Sequence, residues 1–419
     1  MKTRKVLILG NVWPYVRGGH RAHPLLINLE KEQFIPISVS MWNSEDKKPS
    51  WPLYEVKERN IFEIIKSNFQ LSTSEKFTKD PTNEDFLRGK QKKQLIHYCK
   101  DFFEQLICLP DEYWLSKSSI DRTVDMVIEK ENPDIILSEF PVIYHFSAYR
   151  ASKKYSIPWI ADFVDLWSQN FNYSYTSLRR FLDTTMESRI LSKADAVVTV
   201  SPVWAKKQEK FNKNSICIEH SFPSILPDRS NLDKLTILYS GRIYPSIQHY
   251  EDFFYFIRTN LDLNENLSNK LEILFVGEGA NSQIEQIVKK LNLQNIVSIK
   301  ERVSHGDIEI LKQEANILML FATASSKDGW YTSKLFDYLG ANKEIWVFGR
   351  DKDNIIIDFV EKNKLGKHIK DAETLQIAIE SILKGENISL ATEDYREKYS
   401  ARSMSKRFAK LFEEIILER

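Results

Sequence analysis

The sequence predicts an α/β protein made of two doubly wound domains that face one cleft. Three observations predict it. Short apolar runs alternate with helical periodicities along nearly the whole chain, the pattern of parallel strands joined by helices. That alternation stops at a polar, proline-containing stretch near 223–232 and then starts again. With 419 residues, the chain is long enough for two separate cores.

Composition narrows the function classes. Charged residues make up 28% and apolar residues 42%, as in an ordinary globular protein. The net charge of +1 gives no overall field that would draw nucleic acid, so no nucleic-acid partner is expected. Cys99, Cys108 and Cys217 form no CxxC pair, which argues against a zinc site and a disulfide framework and for a reducing compartment. The apolar run at the N-terminus is too short for a signal peptide, and no run approaches the ~18 apolar residues of a spanning helix. These features read as a cytoplasmic protein.

In the first half, residues 6–9 form a buried strand that leads through Gly10 and Asn11 to Gly18 and Gly19, with a helix over about 23–30. Strand, glycine loop and helix open a doubly wound domain, and paired glycines let backbone approach an anionic ligand closely. A second strand spans 35–41. Residues 42–120 are irregular, with a charged run at 76–93 and helical spacing at 94–109; an insertion of this kind often shapes an acceptor site. Lys90, Lys92 and Lys93 beside Leu95, Ile96, Phe102 and Phe103 read either as a basic membrane-facing helix or as a solvated charge run beside a core helix. A helix at 120–130 and a strand at 133–138 follow, then His145 at a helix start, placed to bond a sugar hydroxyl or to cap its helix. Residues 158–163 form a strand that runs into Asp162 and Asp165. Ligands bind at the carboxyl ends of such strands, so both carboxylates are expected to line the cleft, with Asp165 read equally as a helix cap. Strands at about 196–200 and 216–218 flank a helix that starts at Ser201 and Pro202, and 221–231 reads as the linker.

In the second half, the strand at 235–240 enters Gly241 and Arg242, and a guanidinium suits bidentate phosphate binding. The strand at 271–276 enters Gly277, Glu278 and Gly279. With Ser282 in the third glycine's place and Glu301 about twenty residues on, this is an incomplete dinucleotide fingerprint, the basis of a rival oxidoreductase reading. After a strand at 317–321 comes the most informative stretch, 331–347. Thr332 or Ser333 caps a helix there, Leu335, Phe336 and Leu339 repeat at helical spacing, and Gly340 and Asn342 are expected to stop it by adopting positive φ. A strand follows at 345–348. The helix N-terminus and Lys334 can hold a diphosphate, and Asp337 can accept hydrogen bonds from ribose hydroxyls. The bland reading of the same stretch is an ordinary capped amphipathic helix. Helices at 351–361, 374–383 and about 394–417 close the chain, the last with Phe408, Leu411, Phe412 and Ile415 on one face.

Four segments resemble the family 4 glycosyltransferases. Residues 331–347 resemble a subgroup pattern that runs Pro-Ser-Lys-(Leu/Ile)-Phe-Glu-Tyr-Leu-Ala-x-x-(Lys/Arg)-Pro, with Asp337 at the ribose-binding Glu. Residues 161–167 resemble Ala-Asp-Phe-Arg-Asp-Pro-Trp, with Val164 and Leu166 replacing Arg and Pro, and 194–201 resemble Ala-Asp-x-Val-Ile-x-Val-Ser. Gly241 and Arg242 match the family's Gly-Arg, but its Lys five residues beyond is Ile247 here, next to Gln248, so Lys334 is expected to supply that charge. The first acidic residue of the family's E-x7-E pair is also displaced: Gly329 holds its place and Asp328 lies one position off.

The resemblance implies the GT-B fold outside 42–120, with domains at 1–222 and 232–393 and a last helix at 394–419 that crosses back to the first domain. It implies a retaining transfer from a nucleotide-diphosphate sugar to a glycan acceptor, with no cofactor, no covalent nucleophile and no metal on the nucleotide. Arg242 and Lys334 would stabilise the leaving group, with Asp162 and His145 as further catalytic candidates. Gly18, Gly19, Gly241, Gly277, Glu278, Val303, Thr332, Ser333, Leu335 and Asp337 would complete the donor site. Family habit adds a surface-polysaccharide acceptor, lipid-linked acceptors included, and contact with the inner face of the membrane. The rivals are a catalytically silent scaffold on this fold, favoured by Ile247, and an epimerase or phosphorylase.

Overall fold

A computed structural model describes residues 3–13, 21–42, 49–64, 104–170, 175–231, 233–245, 248–323, 328–350, 354–386 and 392–419. The chain forms two compact units, Met1–Glu219 with Met404–Arg419, and His220–Ser403. The expected helix at 94–109 and the basic stretch at 90–93 lie mostly outside the described residues, as do Gly18, Gly19 and Ile247.

The first unit is built from β1 (Arg4–Leu9), α1 (Ala22–Leu29), β2 (Phe34–Ser40), β3 (Leu53–Glu55), α2 (Lys117–Glu131), β4 (Ile135–Ser138), α3 (Ile143–Tyr155), β5 (Trp159–Phe163), α4 (Ser177–Leu191), β6 (Ala196–Thr199), α5 (Pro202–Gln208) and β7 (Ser215–Cys217). The strands pair in parallel in the order β3-β2-β1-β4-β5-β6-β7. Successive residues of β1 point to opposite faces. Leu7 and Leu9 pack with Val124 and Val127 of α2 and Tyr144 of α3, whereas Val6 and Ile8 pack with Leu25 and Leu29 of α1. A sheet covered on both faces needs continuous apolar strands, which is why 6–9 is legible in the sequence. Strand β3 was not expected, because its three residues follow Pro52 inside the irregular stretch 42–120.

The second unit contains β8 (Leu235–Ser240), α6 (Tyr250–Leu263), β9 (Leu271–Val276), α7 (Asn281–Lys290), β10 (Val297–Lys300), α8 (His305–Glu314), β11 (Ile317–Phe321), α9 (Ser333–Ala341), β12 (Glu344–Phe348), α10 (Ile355–Lys362), β13 (Gly366–Ile369), α11 (Ala372–Leu383) and α12 (Glu393–Glu397), before α13 (Ala401–Glu418). Its sheet is also parallel, in the order β10-β9-β8-β11-β12-β13. Ile237 and Tyr239 pack with Phe253 of α6 and Ile284 of α7 on one face, and Leu238 and Leu320 with Leu335 and Leu339 of α9 on the other.

Several sequence expectations are corrected. The helix expected over 351–361 begins at Ile355, because the Asn354 side chain accepts from the Ile356 N–H at 3.0 Å and so caps it there. The edge strand β13 was not expected. The single closing helix is two helices, broken where Phe222 bridges Ser400 and the Ser400 hydroxyl accepts from the Ser403 N–H at 3.1 Å. Asn342 does end α9 in the left-handed region (φ 53°), but Gly340 lies inside the helix. Its missing side chain instead admits Phe222, whose ring would lie 2.9 Å from an added Cβ. Residues 221–231, read as a linker, run along the second unit: Leu226 N–H donates to Gly340 O at 2.9 Å, and Arg229 N–H donates to Gln313 O at 3.0 Å.

The C-terminal part of α13 belongs to the first unit. Phe408 and Phe412 are fully buried beside Val6, Ile8 and Leu29, and Phe412 meets the Phe34 ring edge-on at 5.3 Å. Phe412→Ala is therefore expected to lower the stability of the first unit by about 3–5 kcal/mol, measured as a shift of its urea transition by circular dichroism. An unmoved transition would mean that α13 adds nothing to that core.

Candidate functional site

Strands β8 and β11 are neighbours, and the chain winds outward from them in both directions, through β9 and β10 on one side and β12 and β13 on the other. The crevice beyond their carboxyl ends is the topological switch point, where open parallel sheets bind ligands. The turns that leave β8 and β9 pack backbone to backbone there. Gly241 N–H donates to Val276 O at 2.8 Å, and Ile243 N–H donates to Glu278 O at 2.9 Å. Gly277 has φ 148°, and a Cβ on it would overlap the Gly241 carbonyl oxygen; Gly279 has φ 112°, and a Cβ there would overlap the Ile243 carbonyl. These glycines are required by contact as well as by conformation.

Gly241 (φ 117°) makes room for a side chain. A Cβ on it would lie 2.9 Å from Cε and 3.0 Å from Nζ of Lys334. The Lys334 ammonium rests 3.9 Å from the centre of the Tyr239 ring. Desolvation in this packed setting pushes its pKa down to about 7, partly opposed by the charge of Asp337. Arg242 is exposed, with its guanidinium 5.7 Å from the centre of the Tyr244 ring, and it forms no ion pair among the described residues. Thr332 caps α9, its hydroxyl accepting from Lys334 N–H at 3.4 Å, and Ser333 is exposed at the first turn. Gly241, Arg242, Gly277, Glu278 and Lys334 thus gather beside the start of α9.

Other predicted donor residues sit differently. Leu335 is fully buried in the core, and its N–H donates to Thr332 O at 3.1 Å, so neither its side chain nor its N–H is available to a donor. This corrects its assignment: apolar periodicity put it in the core. Val303 is half-buried against the same core. Asp337 is 37% exposed and is held by the buried Lys312, whose Nζ donates to its two oxygens at 2.9 and 2.8 Å. Sequence reading missed Lys312, and it also missed Tyr338, whose hydroxyl lies 3.0 Å from Ser240 N and 3.1 Å from Ser240 Oγ and so fixes the end of β8. Its one signal was its place four residues after Lys334 on the same helix. Gln248, noted only as a polar neighbour, accepts from Tyr244 N–H at 2.8 Å and pairs with Thr323 after β11.

The first unit has its own switch point, between β1 and β4. Asp162 is fully buried at the end of β5. Arg21 grips it with Nε 2.6 Å from Oδ2 and Nη2 3.1 Å from Oδ1, and donates also to the carbonyls of Ile218 (2.8 Å) and Glu219 (3.0 Å). Burial pushes the Asp162 carboxyl up, while Arg21 pulls it back. Asp162 is therefore the charge partner of Arg21 rather than an open cleft carboxylate, which corrects the reading from strand position alone. Asp165 caps no helix, since α4 starts at Ser177 behind Thr176. His145 is buried and caps nothing: its Nδ1 lies 2.7 Å from Ser138 Oγ and its ring stacks on Phe163 at 4.5 Å. Burial lowers its pKa to about 3, so it stays neutral. The α3 N-terminus is served instead by Asp111, which accepts from Ile143 N–H at 2.7 Å. Glu139, which the sequence did not flag, is buried directly after β4. Burial first, and then the charge of Asp162, push its carboxyl up, against the pull of Arg21.

Among the described residues, no group of three or more His, Cys, Asp or Glu is placed to hold a metal ion, and no helix is long and apolar enough to cross a membrane. Asp162→Asn would leave the Arg21 charge buried and half-paired. The expected cost is about 3–5 kcal/mol in the first unit, measured by chemical denaturation at pH 7. A cost below about 1 kcal/mol would show that the pair is not what holds this site.

Residues 112–211 match the family described as glycosyl transferase 4-like domain. No curated protein matches the chain. Among solved structures, the chain is similar to a sucrose-phosphate synthase from Thermosynechococcus elongatus, with TM-score 0.62 and 11% identity over 99% of this chain and 100% of that one. It is also similar to a glycosyltransferase from Rickettsia africae, with TM-score 0.59, 14% identity and full coverage of both chains. A third similar structure is a putative UDP-N-acetylglucosamine 2-epimerase from Listeria monocytogenes, with TM-score 0.54 and 14% identity over 100% of this chain and 98% of that one. The fold is thus the GT-B architecture of two Rossmann-like units that the resemblance implied, and residues 112–211 are similar to a glycosyl transferase 4-like domain.

Proposed function

We propose that the chain transfers a sugar from a nucleotide-diphosphate donor to a hydroxyl of a glycan acceptor, with retention of anomeric configuration. The observation that carries this reading is the gathering of Arg242, Lys334 and the start of α9 at the switch point of the second sheet. Arg242 and the helix start are positive, Lys334 is positive below about pH 7, and Arg242 has no protein anion to neutralise it among the described residues. In the reaction, the bond between the anomeric carbon and the diphosphate oxygen breaks and a bond to the acceptor oxygen forms. The hydroxyl proton leaves with the departing phosphate. Arg242 and Lys334 meet the charge that develops on that phosphate, the dominant catalytic contribution in this reading. Asp337, already oriented by Lys312, receives the ribose hydroxyls. In this reading Gly277, Glu278, Ser333 and Val303 line the donor, and no metal or cofactor is required. The match of 112–211 to a transferase domain favours transfer over epimerisation, which the fold alone does not separate. A surface glycan, lipid-linked acceptors included, and a cytoplasmic site at the inner face of the membrane complete the reading. The silent-scaffold alternative is favoured by Ile247 and predicts no donor turnover.

Arg242→Ala and Lys334→Ala are each expected to weaken binding of UDP or GDP by more than tenfold, about 1.4 kcal/mol or more, by titration calorimetry. The pH dependence has a definite sign. Free Lys334 loses its proton above about pH 7, and a bound diphosphate favours the charged amine. Binding at pH 8 should therefore take up a proton, seen as a buffer-dependent heat, and affinity should fall as pH rises from 7 to 9. Lys334→Ala should abolish both effects. Unchanged heats in both variants would remove the phosphate assignment.

Asp337→Ala is expected to weaken binding of the same nucleotides while the protein still folds. Ribose contact predicts a larger loss for UDP than for inorganic pyrophosphate. Equal losses would assign Asp337 to holding Lys312 alone.

A further inference from the structure

Lys334 follows Ser333, the first residue of α9. Helical side chains lean toward the N-terminus, so its amine lies at the positive end of the helix. Its Nζ rests 3.9 Å from the centre of the Tyr239 ring, beside Gly241, which has no side chain to displace it. Among the described residues, Nζ donates no hydrogen bond and joins no ion pair. The groups around it are engaged elsewhere. Asp337, on the same helix, is held by Lys312 of α8. The Tyr239 hydroxyl donates to Arg242 O at 2.8 Å, and the Tyr338 hydroxyl lies 3.1 Å from Ser240 Oγ. Burial pushes both phenols up, so both stay neutral. Arg242 and Glu278, in the turns after β8 and β9, are exposed.

This position disfavours the ammonium form. Desolvation lowers the pKa to about 7 against the pull of Asp337, whereas an exposed lysine, near about 10.4, is almost wholly charged at neutral pH. A desolvated, neutral amine is a nucleophile. The electrophile that suits it is small, because the side chain is half-buried, and yields an anionic product, because the helix start favours negative charge. Carbon dioxide meets both conditions. We propose that Lys334 is a site of reversible carbamylation by dissolved carbon dioxide. The nitrogen lone pair attacks the carbon, a C–N bond forms, one C=O π pair moves onto oxygen, and the nitrogen gives one proton to water. A singly charged carbamate remains. The modification puts an anion where the proposed phosphate site needs a cation, so carbon dioxide and a nucleotide diphosphate compete for one amine. That competition rests on the phosphate reading of the crevice; the modification itself does not.

The test uses the full chain equilibrated with carbon-13 bicarbonate and dissolved carbon dioxide. The carbamate is fixed by alkylation with triethyloxonium and located by peptide mass mapping. Lys334 should carry far more label than exposed lysines such as Lys289 and Lys364. At fixed dissolved carbon dioxide its label should grow as pH rises from 6 to 8, because the neutral amine gains population through its pKa of about 7. In Lys334→Arg, which keeps the positive charge and forms no carbamate, its carbon-13 carbamate resonance should vanish while that of the chain's α-amine persists. The apparent Kd of UDP should about double when half of Lys334 is carbamylated, since only half of the protein is then competent. Lys334→Ala should remove that dependence on carbon dioxide. The proposal is overturned if Lys334 carries no more label than the exposed lysines. The two readings fail separately. If UDP and GDP bind and Lys334 stays unlabelled, this inference alone falls. If Lys334 is labelled and neither nucleotide displaces the label, the modification stands and the phosphate role of Lys334 falls.

Discussion

A parallel sheet covered by helices on both faces leaves only the ends of its strands open to a ligand. Both units obey this constraint, and it decides where chemistry can lie. In the second unit the constraint is tightened by contact. The turns after β8 and β9 share backbone hydrogen bonds at a separation that no side chain at Gly277 or Gly279 permits. This packing orients Arg242 and keeps the space beside Gly241 in which Lys334 lies. Tyr338 then ties α9, which carries Lys334, to the last residue of β8. The cationic groups are therefore held by a closely packed turn and by a helix.

The two switch points hold opposite kinds of polar group. The second gathers cations and helix N–H groups, with Arg242 exposed and Lys334 half-buried. The first gathers buried carboxyl groups around one arginine. A single Arg21 cannot neutralise both Asp162 and Glu139, and the bidentate geometry shows that it serves Asp162. Burial first, and then the charge of Asp162, keep the remaining carboxyl in its neutral form. The second unit thus presents positive charge, and the first a buried carboxyl held neutral.

Much of the fold was legible because both sheets are buried on both faces. Runs such as 6–9, 271–276 and 317–321 are continuous in apolar residues, and the glycines after them mark the turns. What was illegible was short or long-range. Strand β3 has three residues, and β13 reads Gly-Lys-His-Ile, with little apolar content to mark an edge strand. The break between α12 and α13 depends on pairing with Phe222, far away in sequence. The same division holds for the candidate site. Arg242, Lys334 and the Thr332 cap announce themselves through local pattern. Arg21 reaches Asp162 across 141 residues, and Lys312 reaches Asp337 across 25, and no local periodicity reports either pairing. Asp162 and His145 were read from their places at a strand end and a helix start, but burial turned both into internal partners.

Lys334 is placed to serve as the second cation of the proposed phosphate site, where Ile247 replaces the lysine of the resembling family. A lysine in the first turn of a helix sits at the positive end of the macrodipole, which disfavours its charge. Its packed surroundings disfavour that charge further, and the opposing carboxylate, Asp337, is already committed to Lys312. The Tyr239 ring returns only part of what is lost. A lysine so placed adds little to the stability of the free protein, and a purely structural role would be served better by an uncharged side chain. The arrangement becomes favourable when an anion arrives. The helix end and the lysine, which repel each other in its absence, then act on the same ligand. Local frustration of this kind, at the carboxyl ends of parallel strands, is what the proposed phosphate role of Lys334 would require.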